Sequence, residues 1–597
     1  MEIKRLFDFL IEWETAQPNS PFVSSKINRV WNTYTFAETQ SLSNKVSQLL
    51  INLGLQKDDK IAIISNNRPE WNFTDIGSMQ IGVTAVPMYP NIAEKDYEYI
   101  FQDAGIKYAF VGDKSIYEKV APLLEKLDTL KDIYTFDKVE GAKCWIEELP
   151  KTEDLNWNEI EKRKANVSEH DLATIIYTSG TTGNPKGVML THKNITSNIL
   201  SIKEVAPFEN NRKSLSFLPL CHSFERTVFY SYLAFGFHIY YAESLETIGE
   251  NLKEVKPFCF TTVPRLLEKV YEKIMEKGNG LTGFKRKLFF WSIDLGSKYE
   301  LGGGNSLWYK FQLAIARELV FKKWIEALGG EIEFIVTGAA AMQPRLIKLF
   351  SAAGINVLEG YGLSETSPVL AVNRIDEKER CIGTVGMVIP GVEIKIAEDG
   401  EILAKGDNIM KGYYNRPDLT AEVIKNGWFH TGDIGKWIEK NGNKFLKITD
   451  RKKELFKTAG GKYIAPQAIE EKMKESRFIE QIMVVGDDDK KYISALIVPS
   501  FVNLYDWAKQ QEILFANKEE LIRQEEVKTL FANEVNALNK NFGKWEQIKK
   551  FELLSHEWTI EGGELTPTLK LKRKAIYARY AEMIDEMYKN QHLHCES

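Results

Sequence analysis

The sequence predicts an α/β protein in two parts: a large N-terminal domain of mainly parallel sheets and helices (1–450), and a small α+β domain (451–597). Three observations predict it. At 597 residues the chain exceeds the size at which one hydrophobic core stops growing. Through its first two thirds, short apolar runs alternate with helical periodicity, as in βα units around a parallel sheet. After Asp450-Arg451-Lys452-Lys453 this gives way to strands near 482–485 and 492–499, then to charged helical stretches through about 500–538.

The elements follow in order. Thr35-Phe36-Ala37-Glu38 is a capping box, and Leu42, Val46, Leu49, Leu50 and Leu53 recur at helical spacing until Gly54 stops the helix. Residues 61–64 read as a strand, 70–80 as a helix and 83–87 as the next strand. Apolar runs at 107–111, 215–218, 258–262 and 332–336 predict further strands of the same kind. No repeat or low-complexity tract interrupts them.

Composition excludes some functions. Lys and Arg number 78 against 83 Asp and Glu, so a net charge of −5 gives no general attraction to nucleic acid. Cys144, Cys221, Cys259, Cys381 and Cys595 are scattered and lack metal spacing, which suits a reducing cytosol. The N-terminal residues do not read as a secretory signal. The longest apolar run, 230–242, is broken by Ser231 and His238 and falls short of the ~20 residues of a spanning helix. A cytoplasmic protein, at most peripheral on the inner face of the membrane, is expected.

The chemistry begins where the apolar run 173–176 feeds Thr178-Ser179-Gly180-Thr181-Thr182-Gly183-Asn184-Pro185-Lys186-Gly187. Glycines let backbone N–H groups approach an anion, hydroxyls add donors, and Lys186 adds charge. An ordinary polar turn is the plain alternative. Lys186 is in the wrong register for a Walker loop, which needs Gly-Lys-Ser/Thr. Further on, His222 follows a strand end, where open α/β sheets place ligands. The small residues of Thr337-Gly338-Ala339-Ala340-Ala341 suit a flat ring or alkyl chain lying against backbone.

The loop at 178–187 resembles the signature of the adenylate-forming superfamily. A second block, Gly427-Trp428-Phe429-His430-Thr431-Gly432-Asp433 with Asp450-Arg451-Lys452-Lys453 and Gly461-Lys462-Tyr463, resembles that of AMP-forming long-chain fatty acid CoA ligases. The likeness runs from about residue 20 to 576. It implies fatty acid, ATP and coenzyme A as substrates, Mg²⁺ as cofactor, and no obligatory protein partner. It also implies roles: His222 beside the carboxylate, Gly338 and Ala339 at the adenine, and Tyr361 of Gly360-Tyr361-Gly362 stacking on it. Thr366 would bond the α-phosphate, Glu365 hold Mg²⁺, Asp433 bind the ribose and Arg451 assist. Lys453 would be the hinge of the C-terminal domain, and Gly460, Gly461, Lys462 and Tyr463 a wall of the CoA channel. The family's terminal lysine matches Lys570, with Arg573 three residues on, although the usual Ser-Gly before it is here Thr568-Leu569 and Lys572 is a rival alignment.

The resemblance implies two half-reactions, acyl-AMP formation and transfer to CoA. An acyl-AMP ligase serving another acid or a carrier protein, and a non-catalytic lipid-binding protein, remain alternatives. A basic and aromatic segment, about 273–324, has two readings. It is either a surface touching anionic lipid or, the preferred one, a helix whose aromatics pack inside while Lys285, Arg286 and Lys287 stay wet.

Overall fold

The computed structural model describes residues 2–178, 184–244, 246–452, 454–457, 463–487, 489–559, 562–566 and 570–589. Among them, the predicted βα alternation builds two large sheets. In one, Leu172–Thr178, Thr84–Met88, Lys60–Ile64, Ile106–Val111 and Asp132–Thr135 run parallel, edged by antiparallel Lys186–Thr191 and Gly412–Tyr413. In the other, His238–Tyr241, Lys213–Ser216, Cys259–Thr262, Phe334–Thr337 and Asn356–Gly362 run parallel. The strand expected at 215–218 ends earlier, at Ser216, ahead of Pro219, which has no N–H for a ladder. A third, antiparallel sheet pairs Trp428–Lys440 with Asn443–Arg451.

The helix Phe36–Asn52 starts with the predicted reciprocal cap between Thr35 and Glu38, and Gly54 follows its end at φ 80°. The next helix, Pro69–Gln80, is buried from Trp71 to Gln80 and packs against strands of both large sheets. A helix so placed must find partners for most of its polar side chains inside the protein. Asn72 accepts from the Tyr241 hydroxyl at 2.5 Å, and Asp75 accepts from Tyr230 at 2.7 Å and from the Arg226 guanidinium. Arg226 belongs to the helix Ser223–Phe235, which starts beside His222, so the buried Asp75 pair fixes that helix.

The small domain has its own core, drawn from residues 464–588. Ile479–Val485 pairs antiparallel with Ile493–Pro499, as expected, and Ile548–Leu553 adds a parallel strand that the sequence did not mark. The last twenty residues read as a surface helix and tail, but Ala581–Tyr588 buries Ile584, Met587 and Tyr588, which fall on one helical face. Across the two domains, Arg265 of the helix Pro264–Asn279 sits among Glu268 and Glu272 of its own helix and Glu480 and Glu557 of the small domain. No helix among the described residues is long and apolar enough to cross a membrane.

Removing one member of the buried pair strands the other. Asp75→Ala should cost about 3–5 kcal/mol, whereas a double Asp75→Leu/Arg226→Leu variant should cost less than the single change. Urea denaturation of the three proteins checks this, and a double variant less stable than Asp75→Ala would contradict it.

Candidate functional site

One cavity of about 1900 Å³ opens where the two large sheets, the antiparallel sheet and the small domain meet. That is roughly twice the upper range for a single drug-sized ligand, so it has room for two substrates side by side. Its lining includes a polar group of residues, the polar arm, and an apolar group, the apolar arm, with His222 among them.

The polar arm is built from strand ends. Thr178 and Lys186 face each other in register at the loop end of their hairpin. The Lys186 ammonium lies 5.2 Å over the Tyr413 ring, and the Tyr413 hydroxyl donates to Glu365 at 2.8 Å. Gly187 is required beside them, because a Cβ there would approach Ile175 to 2.8 Å. Tyr413 was not singled out in the sequence; its one signal is its place after Gly412, in the strand that pairs with Val188.

Asn356–Gly362 delivers Tyr361, whose hydroxyl donates to Asp433 at 2.7 Å. Asp433 faces Arg451 across the antiparallel ladder, with 3.8 Å between carboxylate and guanidinium. Burial pushes the Asp433 carboxyl up, and Arg451 and the Tyr361 hydroxyl oppose the shift. Gly362 passes so close to the Pro368 carbonyl that no side chain fits. Thr366 lies on the same turn but points inward: it is fully buried, its hydroxyl 2.5 Å from the Pro368 carbonyl, and it does not line the cavity. Glu365 does.

Gly338 and Ala339 line the cavity, and Ala339 holds φ at 69°, a left-handed conformation that costs a non-glycine residue energy. Glu359 braces this loop by accepting the Met342 N–H at 3.1 Å. Burial raises the Glu359 carboxyl to about 8, so it is protonated at neutral pH. Its only signal in the sequence is an acid in the middle of a buried strand.

His222 caps its helix, and its Nδ1 accepts the Phe224 N–H at 3.2 Å. Burial, and secondly the nearby Lys570 charge, lower its pKa to about 4. The imidazole is therefore neutral, and with Nδ1 accepting, Nε2 carries the proton. Ser223 and Ser364 share a 2.9 Å hydrogen bond that ties this helix start to the turn bearing Glu365.

Lys570 enters from the small domain. Its amide donates to Thr566, and burial, then Arg451, lower its ammonium to about 8, against the pull of Asp433, Glu454 and Glu365. Lys572, the rival in the sequence, is exposed. Arg573 is committed to Glu470 and Glu454, at 2.6 and 3.0 Å.

The apolar arm is lined by Phe208, Phe235, Phe237 and Phe334, with Val228 and Val336. The Phe208 ring stacks on Phe334 at 4.9 Å and meets Phe235 edge-on at 5.3 Å. No spacing in the sequence marked this wall, because its members come from separate elements. Ser179, Gly180, Thr181, Thr182, Gly183, Lys453, Gly460, Gly461 and Lys462 lie outside the described residues, and Tyr463 opens the short strand Tyr463–Ile464.

Comparison with known proteins agrees with this architecture. Residues 11–414 match the family model of AMP-binding enzymes, and 454–592 match the model of their C-terminal domain. Long-chain-fatty-acid–CoA ligase FadD15 of Mycobacterium bovis is 31% identical over 98% of this chain and 96% of its own. Long-chain-fatty-acid–CoA ligase 1 of Homo sapiens is 34% identical over 96% of this chain and 84% of its own. Among solved structures, the adenylation domain of a carboxylate reductase from Mycobacterium chelonae superposes with a TM-score of 0.74 at 20% identity, covering 98% of this chain and 91% of that one. In sequence over nearly its whole length, and in fold, this chain belongs to the family of AMP-binding enzymes.

Proposed function

We propose that this protein is an AMP-forming long-chain fatty acid CoA ligase. The observation that carries the reading is the single cavity joining an acid- and cation-lined arm to an arm walled by phenylalanines. Such a space suits a nucleotide and an alkyl chain meeting at one point, and the ligase names of its relatives agree.

A carboxylate oxygen is a poor leaving group, so the acid must first be activated. In the first half-reaction the fatty carboxylate attacks the α-phosphorus of ATP, forming acyl-AMP and releasing pyrophosphate. Negative charge grows on the phosphorus-bound oxygens, and fixed donors aimed there lower the barrier. Lys570 supplies the cation and Lys186 a second one from the hairpin. Neutral His222 presents Nε2–H to the carboxylate without forming an ion pair that would blunt its attack. Asp433 and Tyr361 hold the ribose and adenine, against the Gly338 and Ala339 backbone. Thr366 shapes the turn from within.

Magnesium fits this donor set. It favours one or two carboxylates plus phosphate oxygens, and Glu365 lines the cavity while no cluster of three metal-binding side chains occurs among the described residues. Glu365 would hold the ion, whose contribution is to neutralise phosphate charge.

In the second half-reaction the thiol of CoA attacks the acyl carbonyl, the C–S bond forms and AMP leaves. Lys570 stands in the cavity that the thiol must reach. The small domain, 451–597, is therefore proposed to turn about Lys453 and bring Gly460, Gly461, Lys462 and Tyr463 toward the CoA path.

Lys570→Ala should slow acyl-AMP formation by roughly 10²-fold or more, yet still convert supplied acyl-AMP and CoA to thioester. Equal loss in both half-reactions would refute this division. The ammonium is charged below its pKa of about 8 and neutral above it, so kcat/KM for pyrophosphate release should fall as pH rises through that value. In Lys570→Ala that alkaline limb should vanish. Phe208→Ala removes a ring from the apolar wall and should move preference toward longer acids, read as the ratio of kcat/KM values in a panel from octanoate to arachidate. An unchanged ratio would take the acyl chain out of this arm.

A further inference from the structure

The preferred expectation for the basic and aromatic segment holds only for its first part. In the helix Gly283–Ser297, Phe289 and Leu295 are buried and Lys285 and Lys287 exposed, but Phe284 is 78% exposed and Arg286 is half-buried against Asp506. The helix that follows, Leu307–Ala316, continues through a π turn, Arg317–Phe321, and does the opposite. Leu313, Ala316 and Val320 pack inward. Yet Trp308, Phe311, Ile315 and Leu319, spaced three, four and four residues apart, form a second apolar stripe facing water. Leu307 lies beside it at 84% exposure, Trp308 is 66% exposed, and the Trp308 and Phe311 rings stack at 5.6 Å.

This concentration is not scatter. Of thirteen large apolar side chains exposed among the described residues, six lie between 284 and 319. Contiguous apolar surface on a folded protein marks something that covers it. The charges around the stripe say what. Residues 283–323 carry eight basic and three acidic side chains, a formal +5 in a chain that totals −5. Lys310, Lys322 and Lys323 are exposed on the helix itself or its continuation. A second copy of this chain would bring the same positive charge against it. An anionic bilayer surface offers the opposite sign, and it accepts Trp, Phe and Leu at the headgroup boundary.

We infer that the helix 307–319 docks this protein on membranes containing anionic phospholipid, lying in the interface with Trp308 and Phe311 inserted and the lysines at the headgroups. The stripe is about 18 Å long at 1.5 Å per residue, which suits a helix lying flat and not one that spans. Lys285 and Lys287 add attraction at longer range and do not insert.

The test is co-sedimentation of the full chain with vesicles of phosphatidylcholine alone or mixed with phosphatidylglycerol, at low and high salt. The wild type should pellet with the mixed vesicles and less so at high salt. Leu307→Ser/Trp308→Ser/Phe311→Ser should partition roughly tenfold less or weaker still, because burying each such side chain is worth more than one factor of ten. Since all three are exposed, the variant should keep the wild-type circular dichroism and thermal midpoint, which separates lost docking from lost folding. Equal pelleting of variant and wild type would overturn the inference, as would equal wild-type binding to neutral and anionic vesicles. A wild-type dimer that the triple variant dissolves would assign the stripe to a second copy and overturn it as well.

Discussion

An ammonium group drawn in beside the buried Asp433 constrains this site more than any other interaction. Lys570 loses hydration on entering the cavity, and Arg451 repels it, so its pKa drops to about 8. Asp433, Glu454 and Glu365 keep it from falling further. The balance leaves a cation that is charged at neutral pH and poorly solvated, the condition under which a positive charge acts most strongly on a developing anion. Its influence reaches His222, whose neutrality is partly the work of the same charge. Most of the cavity wall comes from the large domain, but Lys570 comes from the small one.

Much of this was legible because function here is written in contiguous stretches. The capping box at Thr35, the strands around 60–111 and the order of the motifs could be read directly, since local propensity and periodicity decide them. The helix 69–80 was legible as a helix but not as the buried partner of both sheets; its polar residues look like surface until Asp75 meets Arg226 and Tyr230. The spacing to Arg573 already favoured Lys570 over Lys572; the fold adds that both border the cavity but Lys572 is the more exposed. Tyr413 and Glu359 escaped because neither sits in a motif, and each acts by holding another element. The phenylalanine wall escaped for a plainer reason: Phe208, Phe235, Phe237 and Phe334 converge from a loop, a helix end and two strand regions, and no periodicity links them.

The aromatic segment shows how a correct physical rule can be applied to the wrong residues. Its basic triplet drew attention, yet most of the helix bearing it, Phe284 aside, turns its apolar residues inward. The next helix has a modest charge density and apolar residues on two faces, which a one-stripe reading passes over. Only the fold decides which of two stripes packs inward and which stays bare.

The grouping of Arg265 with four carboxylates bears on how freely the enzyme cycles. Glu480 and Glu557 reach it from the small domain, but Glu268 and Glu272 stand on its own helix, both 3.6 Å away. In the proposed turn the first two depart while the last two remain, so the guanidinium trades neighbours without being left bare. A clasp with a resident understudy releases at little cost and re-forms without a search. Such an exchange of neighbours would lower the cost of the proposed turn.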